Sequence, residues 1–326
     1  TGAITVSGTA AELASPSYLA FNPEGTCLYA VSESGNSAAA FKVDKATGAL
    51  TKLNELAVSA KKDQGACHLC VVPGAKMLVT ANYGGGSVST FSLADDGSLA
   101  KRTGFIQHTG GSVNKSRQSE PHGHGALLTP DGEYVLVNDL GTDRVYIYKV
   151  DAKEHTLRTP PAGEGVSPPG SGPRHSVFDK DGKHIFTINE MLCTVTTFAW
   201  DPSVPSLTAG ASVSTLPEPV KPAYSTAEIV VHPSGKFVYG SNRGHNSIAV
   251  FSNAGGVLTA VENVPSGGKT PRNFNLTPDG KWLVAAHQDS DNITVFSVNQ
   301  ETGKLTATPN TAQVGKAVCL VFMPGK

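Results

Sequence analysis

Two histidines stand one residue apart at the start of a stretch that otherwise reads as ordinary sheet. In "SEPHGHGALLTPDGEYVLVNDLGTDRVYIY", His122 and His124 precede alternating apolar residues and a turn. Further along come Arg174 and His175 in "GPRHSVF", Glu190 in "INE", Glu228 in "AEIVV", Arg243 in "SNRG" and Arg272 in "PRNFNL". Imidazole titrates near neutrality and can serve as a general base. Guanidinium grips carboxylate or phosphate through a planar fork and can stabilise a developing oxyanion. Where a strand would accept Ser, Thr or Asn, three ionisable types meeting in one place imply mutual tuning of their pKa values.

What would bring such separated residues together is a repeat of about 50 residues, a period that points to propellers. Each unit holds four short strands. The first ends in a turn: "PSYLAFNPEG", "ACHLCVVPGA", "GHGALLTPDG", "PRHSVFDKDG", "AEIVVHPSG", "PRNFNLTPDG" and "AVCLVFMPGK". Second strands ("CLYAVSE", "YVLVNDL") and third strands ("SAAAFKV", "SIAVFSN") follow the first six of these, and fourth strands begin with leaders such as "TGALTKL". Counting "TGAITVSG" at residues 1–8, the chain supplies seven first, six second, six third and seven fourth strands. The pattern predicts an all-β, seven-bladed β-propeller with four-stranded antiparallel blades, one domain over residues 1–326. Residues 1–8 and 317–326 would give the outermost and innermost strands of a closing blade that lacks its two middle strands. The absence of about 20 residues before Thr1 is the simplest account of that shortfall, and a truly reduced seventh blade, a weak point in the ring, is the other. Two long insertions, "QHTGGSVNKSRQSEPHGHG" and "TLRTPPAGEGVSPPGSGPRH", each connect a fourth strand to the next first strand, and loops of that length are usually functional or mobile.

Composition agrees. Thirty-five Gly and 21 Pro punctuate short apolar runs, and only 16% of residues are charged. The formal net charge of -1 offers no broad basic field for nucleic acid or an anionic membrane, so any anion must be recognised locally. No apolar run approaches the roughly 18 residues of a membrane helix. Five cysteines, Cys27, Cys67, Cys70, Cys193 and Cys319, fall inside predicted strands and read as buried free thiols, which suits a reducing, cytoplasmic compartment. Cys67 and Cys70 are three apart on a strand and point to opposite faces, so they are not a metal knuckle.

In an antiparallel blade, the loop before the first strand and the loop after the second emerge at the same end. That end should gather His68, His122, His124, Arg174, His175, Glu228 and Arg272 from first-strand openings. Glu33, Asn82, Tyr83, Asp139, Glu190, Arg243, His287 and Gln288 would join them from second-strand ends.

Several stretches resemble the seven-bladed lactonases, a family of propeller-type 6-phosphogluconolactonases, gluconolactonases and fungal carboxymuconate-lactonizing enzymes. They are "ANYGGGSV", "EPHGHG", "DLGTDRVYIY", "GPRHSVF", "INE", "AEIVVHPSGKFVYGSNRGHNSIAVF" and "TPRNFNLTPDG" with "DSDNITVFSV". The resemblance runs across nearly the whole chain. It implies an enzyme acting on a sugar-acid or dicarboxylic lactone without a metal, with His122 or His124, Arg174, Glu190 and Arg243 as its catalytic set. The family's G-T-Y-T-like front strand is missing from this sequence.

Lactone hydrolysis needs a base for water, a donor for the tetrahedral oxyanion and a grip on the substrate's anionic end. His124 is the preferred base and His122 the alternative. One of Arg174 and Arg243 would stabilise the oxyanion and the other hold a carboxylate or phosphate, while Glu190 orients an arginine or the histidine. His68, Asn82, Tyr83, Asp139, His175, His287 and Gln288 complete the substrate-binding set, with Glu228 and Arg272, for which an ion-pair role is favoured. Lys115 and Arg117 lie on the loop before "EPHGHG", within reach of a phosphate. No G-x-S-x-G elbow is present, and an arginine-rich mouth repels a cation, so neither a nucleophilic mechanism nor a catalytic metal is expected. The expected ligand is a small anionic lactone. Closure of a carboxymuconate to its lactone is one alternative. A non-catalytic binding propeller is the other, but most of the aromatic residues, such as Phe41, Phe91, Phe198, Phe251 and Phe296, take alternating positions within strands, so the aromatic rim expected of a partner-binding face is lacking.

Overall fold

A computed structural model describes residues 2–61 and 64–324. Its regular structure is strands, apart from one short 3-10 turn at Pro73–Ala75. Among the described residues no helix is long and apolar enough to cross a membrane. The chain divides into two compact units: Gly8–Gly170 with Met323 and Pro324, and residues 2–7 with Ser171–Phe322.

The N-terminal unit holds three antiparallel sheets in chain order. The first is β1 (Pro16–Phe21), β2 (Cys27–Ser32), β3 (Ser37–Val43) and β4 (Leu50–Ala57). The second is β5 (Ala66–Val72), β6 (Met77–Asn82), β7 (Ser87–Leu93) and β8 (Leu99–Gln107). The third is β9 (Gly123–Leu128), β10 (Tyr134–Asp139) and β11 (Arg144–Asp151), with β12 (Thr156–Leu157) and β13 (Gly163–Val166) both paired to β11. Its fourth strand is thus split, and part of the second long insertion is strand rather than loop. Pro160 and Pro161 have no N–H for the ladder, so pairing stops at Leu157 and resumes at Gly163.

In the C-terminal unit the sheets are β14 (Pro173–Phe178), β15 (His184–Asn189), β16 (Thr194–Asp201), β17 (Ser206–Ser214); β18 (Ser225–Val231), β19 (Phe237–Arg243), β20 (Ser247–Ala254), β21 (Val257–Pro265); and β22 (Pro271–Leu276), β23 (Trp282–His287), β24 (Asn292–Val298), β25 (Leu305–Gln313). Second strands are buried on both faces, which is why they read as apolar runs. Tyr29 and Val31 pack with Leu69, Leu78 and Phe91 between the first two sheets. Phe186 and Ile188 do the same with Val238 and Phe251 between β14–β17 and β18–β21. Phe41, Phe91, Phe198, Phe251 and Phe296 are buried.

These six sheets match the six complete repeats. The predicted closing strands do not form: residues 2–8 and 317–324 carry no strand, while Thr1, Gly325 and Lys326 lie outside the described residues. Innermost and outermost strands of a four-stranded sheet stand about 14 Å apart, so without middle strands they have no ladder to join. Leu320 is held by side chains instead. Its N–H donates to Asn273 Oδ1 (2.8 Å) and its carbonyl accepts from Asn275 Nδ2 (3.2 Å), both on β22.

One irregularity recurs in every sheet. Near its start each first strand carries an extra residue that the second strand does not match: Ser17, Cys67, His124, Arg174, one of Ala227 and Glu228, and Arg272. A bulge interrupts the alternation of faces and re-aims the side chain at that point. Four of the six bulges carry candidate site residues.

Candidate active site

In the C-terminal unit, β14, β18 and β22 lie side by side, and their bulges gather the charged residues. Glu190 follows β15, and its Oε2 accepts from Arg174 Nε (3.2 Å) and Arg243 Nη2 (2.9 Å). Arg174 is almost completely buried, 2% exposed, with Nη1 donating to Ala227 O (2.7 Å). Its guanidinium pKa is pushed down to about 10, first by burial and then by the positive charges of Arg243 and Arg272. His175 Nδ1 donates to Glu228 Oε1 (3.0 Å), which leaves Nε2 to accept from Arg174 Nη1 (3.2 Å). Burial and the neighbouring Arg174 and Arg272 hold the His175 pKa well below the usual histidine range, so this imidazole is neutral. Glu228 also accepts from Asn273 Nδ2.

Arg243 differs from Arg174 in having donors left over. Its Nη2 serves both Glu190 and Thr226 O (2.8 Å), its Nε is buried without a partner, and among the described residues Nη1 has none. The side chain is 16% exposed. The cluster is therefore a fixed, positively charged group of guanidiniums with donors on Arg243 available to an anion.

The N-terminal unit holds the histidines. His122 Nδ1 lies 2.9 Å from Tyr83 O; a carbonyl only accepts, so Nδ1 carries the proton and Nε2 the lone pair. The ring stacks on Tyr83 at 4.5 Å and is half-buried. The loop that carries it needs two glycines: a Cβ on Gly141 would lie 2.0 Å from Glu120 O, and one on Gly86 2.3 Å from Pro121 O. His124 is buried, edge-on to Tyr83 (5.4 Å), with Nδ1 3.8 Å from Cys67 Sγ. His68 accepts from Ala126 N–H at Nδ1 (3.2 Å) and stacks on Tyr18.

Three predicted substrate contacts, Asn82, Asp139 and His287, are completely buried. Asn82 donates to Ser87 and Ser89 and accepts from Thr80, all at 3.0 Å, so its amide is used within the sheet. Asp139 Oδ1 accepts from the backbone N–H groups of His122 (2.9 Å), Gly141 (3.0 Å) and Thr142 (3.1 Å), and Oδ2 from His108 Nδ1 (2.6 Å). His287 donates to Asn292 O (3.1 Å) and packs against Gly268. Gln288 accepts from Arg272 Nη1 at 3.4 Å, so the substrate-binding expectation for that pair lies at the edge of the arginine cluster. His108 and Asn273 were not legible as site residues. His108 closes a fourth strand, where the repeat gives no signal, and it orders Asp139 while accepting from Tyr148 OH (3.0 Å) at Nε2.

The family model described as "Lactonase, 7-bladed beta-propeller" matches residues 1–322. A 6-phosphogluconolactonase of Bacillus subtilis (strain 168) is 35% identical over 318 residues, covering 96% of this chain and 89% of its own. One from Formosa agariphila is 32% identical over 302 residues, covering 90% and 84%. Among solved structures, the periplasmic gluconolactonase PpgL of Pseudomonas aeruginosa superimposes with a TM-score of 0.86 at 27% identity, over 94% of this chain and 87% of that one.

Proposed function

The chain belongs to the seven-bladed β-propeller lactonase family, all-β with four-stranded antiparallel blades; from that premise we propose that it hydrolyses a sugar-acid lactone, 6-phosphogluconolactone or gluconolactone. The observation that carries this reading is the shared carboxylate oxygen of Glu190. It fixes two guanidiniums at once and leaves Arg243 Nη1 with donors to spare. Three arginines crowd against two carboxylates there, and an anion relieves the excess positive charge.

In the proposed step, water attacks the lactone carbonyl carbon and loses a proton to a base. The carbonyl oxygen becomes an oxyanion that Arg243 Nη1 receives, and the C–O bond to the ring oxygen breaks as that oxygen takes up a proton. The product is an open-chain hydroxy acid. Arg174, tied down on Nε and Nη1, keeps the field positive and Glu190 in place. Between His122 and His124, His122 is the better suited to act as a base, because its tautomer leaves Nε2 unprotonated and its ring is less buried than that of His124. His124 then packs against Tyr83 and Cys67. Among the described residues, Phe322 is the one aromatic among the exposed large apolar side chains, which counts against a protein-binding rim.

NMR or pH-stat rates on δ-gluconolactone and its 6-phosphate test the proposal. Hydrolysis above the spontaneous rate that is lost in Arg243→Ala supports it; background rates on both lactones with wild type reject it.

A further inference from the structure

The segment between β8 and β9 has almost no regular structure, yet it is pinned to the sheet beneath it. Gln118 is completely buried, donates from Nε2 to Leu140 O and Asp143 Oδ1 (2.8 Å each), and accepts from Asn114 N–H (3.2 Å). Ser112 Oγ donates to the same Asp143 carboxylate. A surface loop anchored by a buried amide is a platform on which its outward side chains are held. Two cations stand on it. Lys115 Nζ donates to Ser112 O (2.8 Å) on its own loop, whereas Arg117 crosses to the neighbouring sheet and donates from Nη2 to Tyr83 OH (3.0 Å). Tyr83 in turn stacks on His122. Guanidinium, phenol and imidazole therefore form one continuous row within the N-terminal unit, with Arg117 at its exposed end.

We infer that Arg117 takes the phosphate of a phosphorylated sugar lactone and so sets the preference for phosphorylated over unphosphorylated substrate. The inference rests on the lactonase reading with His122 as base. In a 6-phosphorylated lactone the carbonyl carbon and the phosphate lie at opposite ends of one small molecule, so a base at one end calls for a cation a short reach away. The Arg117–Tyr83–His122 row has that order. Guanidinium binds phosphate through parallel N–H donors. An unphosphorylated lactone has nothing for this end of the row to hold.

Initial rates on δ-gluconolactone 6-phosphate and δ-gluconolactone, measured for wild type, Arg117→Ala and Arg117→Lys, test this. The ratio of kcat/KM for the phosphorylated over the plain lactone should fall about tenfold or more in Arg117→Ala, through KM, as expected for losing one charge-assisted contact. Arg117→Lys should recover part of it. An equal change on both lactones, or none on either, overturns the inference. Should wild type hydrolyse neither lactone, the lactonase reading fails, and a phosphorus NMR titration with 6-phosphogluconate decides the anion site separately. Binding that Arg117→Ala loses upholds it; equal binding by both proteins, or binding by neither, overturns it.

Discussion

Arg243 Nη2 sits 2.9 Å from Glu190 Oε2, the same oxygen that accepts from Arg174 Nε at 3.2 Å. One atom thus anchors two guanidiniums supplied by different sheets, β14–β17 and β18–β21. Both acids and bases here are largely buried, so removing the carboxylate strands positive charge away from water. Glu190→Gln keeps the volume but not the charge, and should lower unfolding free energy by about 3–5 kcal/mol in denaturant titration. Added inorganic phosphate should restore part of the loss, since an anion bound only by the folded state stabilises it. Stability unchanged from wild type would mean that the cluster is not held together by this carboxylate.

Arg243 should be irreplaceable by lysine. A lysine Nζ has three donors on one atom, and satisfying Glu190 and Thr226 O leaves little for an oxyanion, whereas guanidinium separates Nη2 from Nη1. Arg243→Ala and Arg243→Lys should both lower kcat about 10²–10³-fold in lactone hydrolysis. A lysine variant near wild-type rate would show that charge alone suffices.

Much of the fold was legible because turn and strand signals agree: "TPDG" and its variants close each first hairpin, and the apolar second strands cannot be solvent-facing. The six sheets followed from that. The split between β12 and β13 did not, because a repeat-based reading looks past Pro160 and Pro161. The closing strands failed because pairing needs a partner strand, which sequence alternation does not report. For the site, alternation is the wrong rule at a bulge. It sends Arg174 and His175 to opposite faces, yet the extra residue at Arg174 lets both reach the same charged cluster. The choice between His122 and His124 was illegible for another reason: the tautomer of His122 is set by the carbonyl of a residue 39 positions earlier.

That tautomer gives a kinetic prediction. If His122 is the base, His122→Ala should lower kcat about 10²–10⁴-fold. His124→Ala should act mainly on stability, through lost packing against Tyr83 and Cys67, with kcat little changed. Lactone hydrolysis rates of both folded variants decide, and a loss of kcat in His124→Ala alone would reverse the assignment.

Asp139 should matter without touching substrate. Its carboxylate receives His108 and three backbone N–H groups, one of them from His122. Asp139→Asn replaces an acceptor with an amide that points N–H groups at donors, at a cost of about 3–5 kcal/mol for breaking a buried pair. Thermal unfolding should shift strongly downward, and kcat should fall while KM for the lactone changes little. Wild-type stability in this variant would refute the positioning role.

Stability should also fall on mild acidification, and the sign follows from His175 and His287. Both have pKa values depressed in the folded state, mainly by burial; for His175 the adjacent arginines add to it. At pH 8 these imidazoles are neutral folded or unfolded, and contribute no pH dependence. As pH falls below about 6.5, the unfolded chain takes up protons that the folded protein refuses, so stability drops until the lower folded-state pKa values are reached. The limiting slope is about 1.4 kcal/mol per pH unit for each histidine. Urea titrations between pH 8 and pH 5 should show this fall. In His175→Gln the slope should be shallower by up to one proton, because glutamine leaves no group at that position to protonate. An unaltered slope would mean that His175 is protonated as readily in the folded protein as in the unfolded chain.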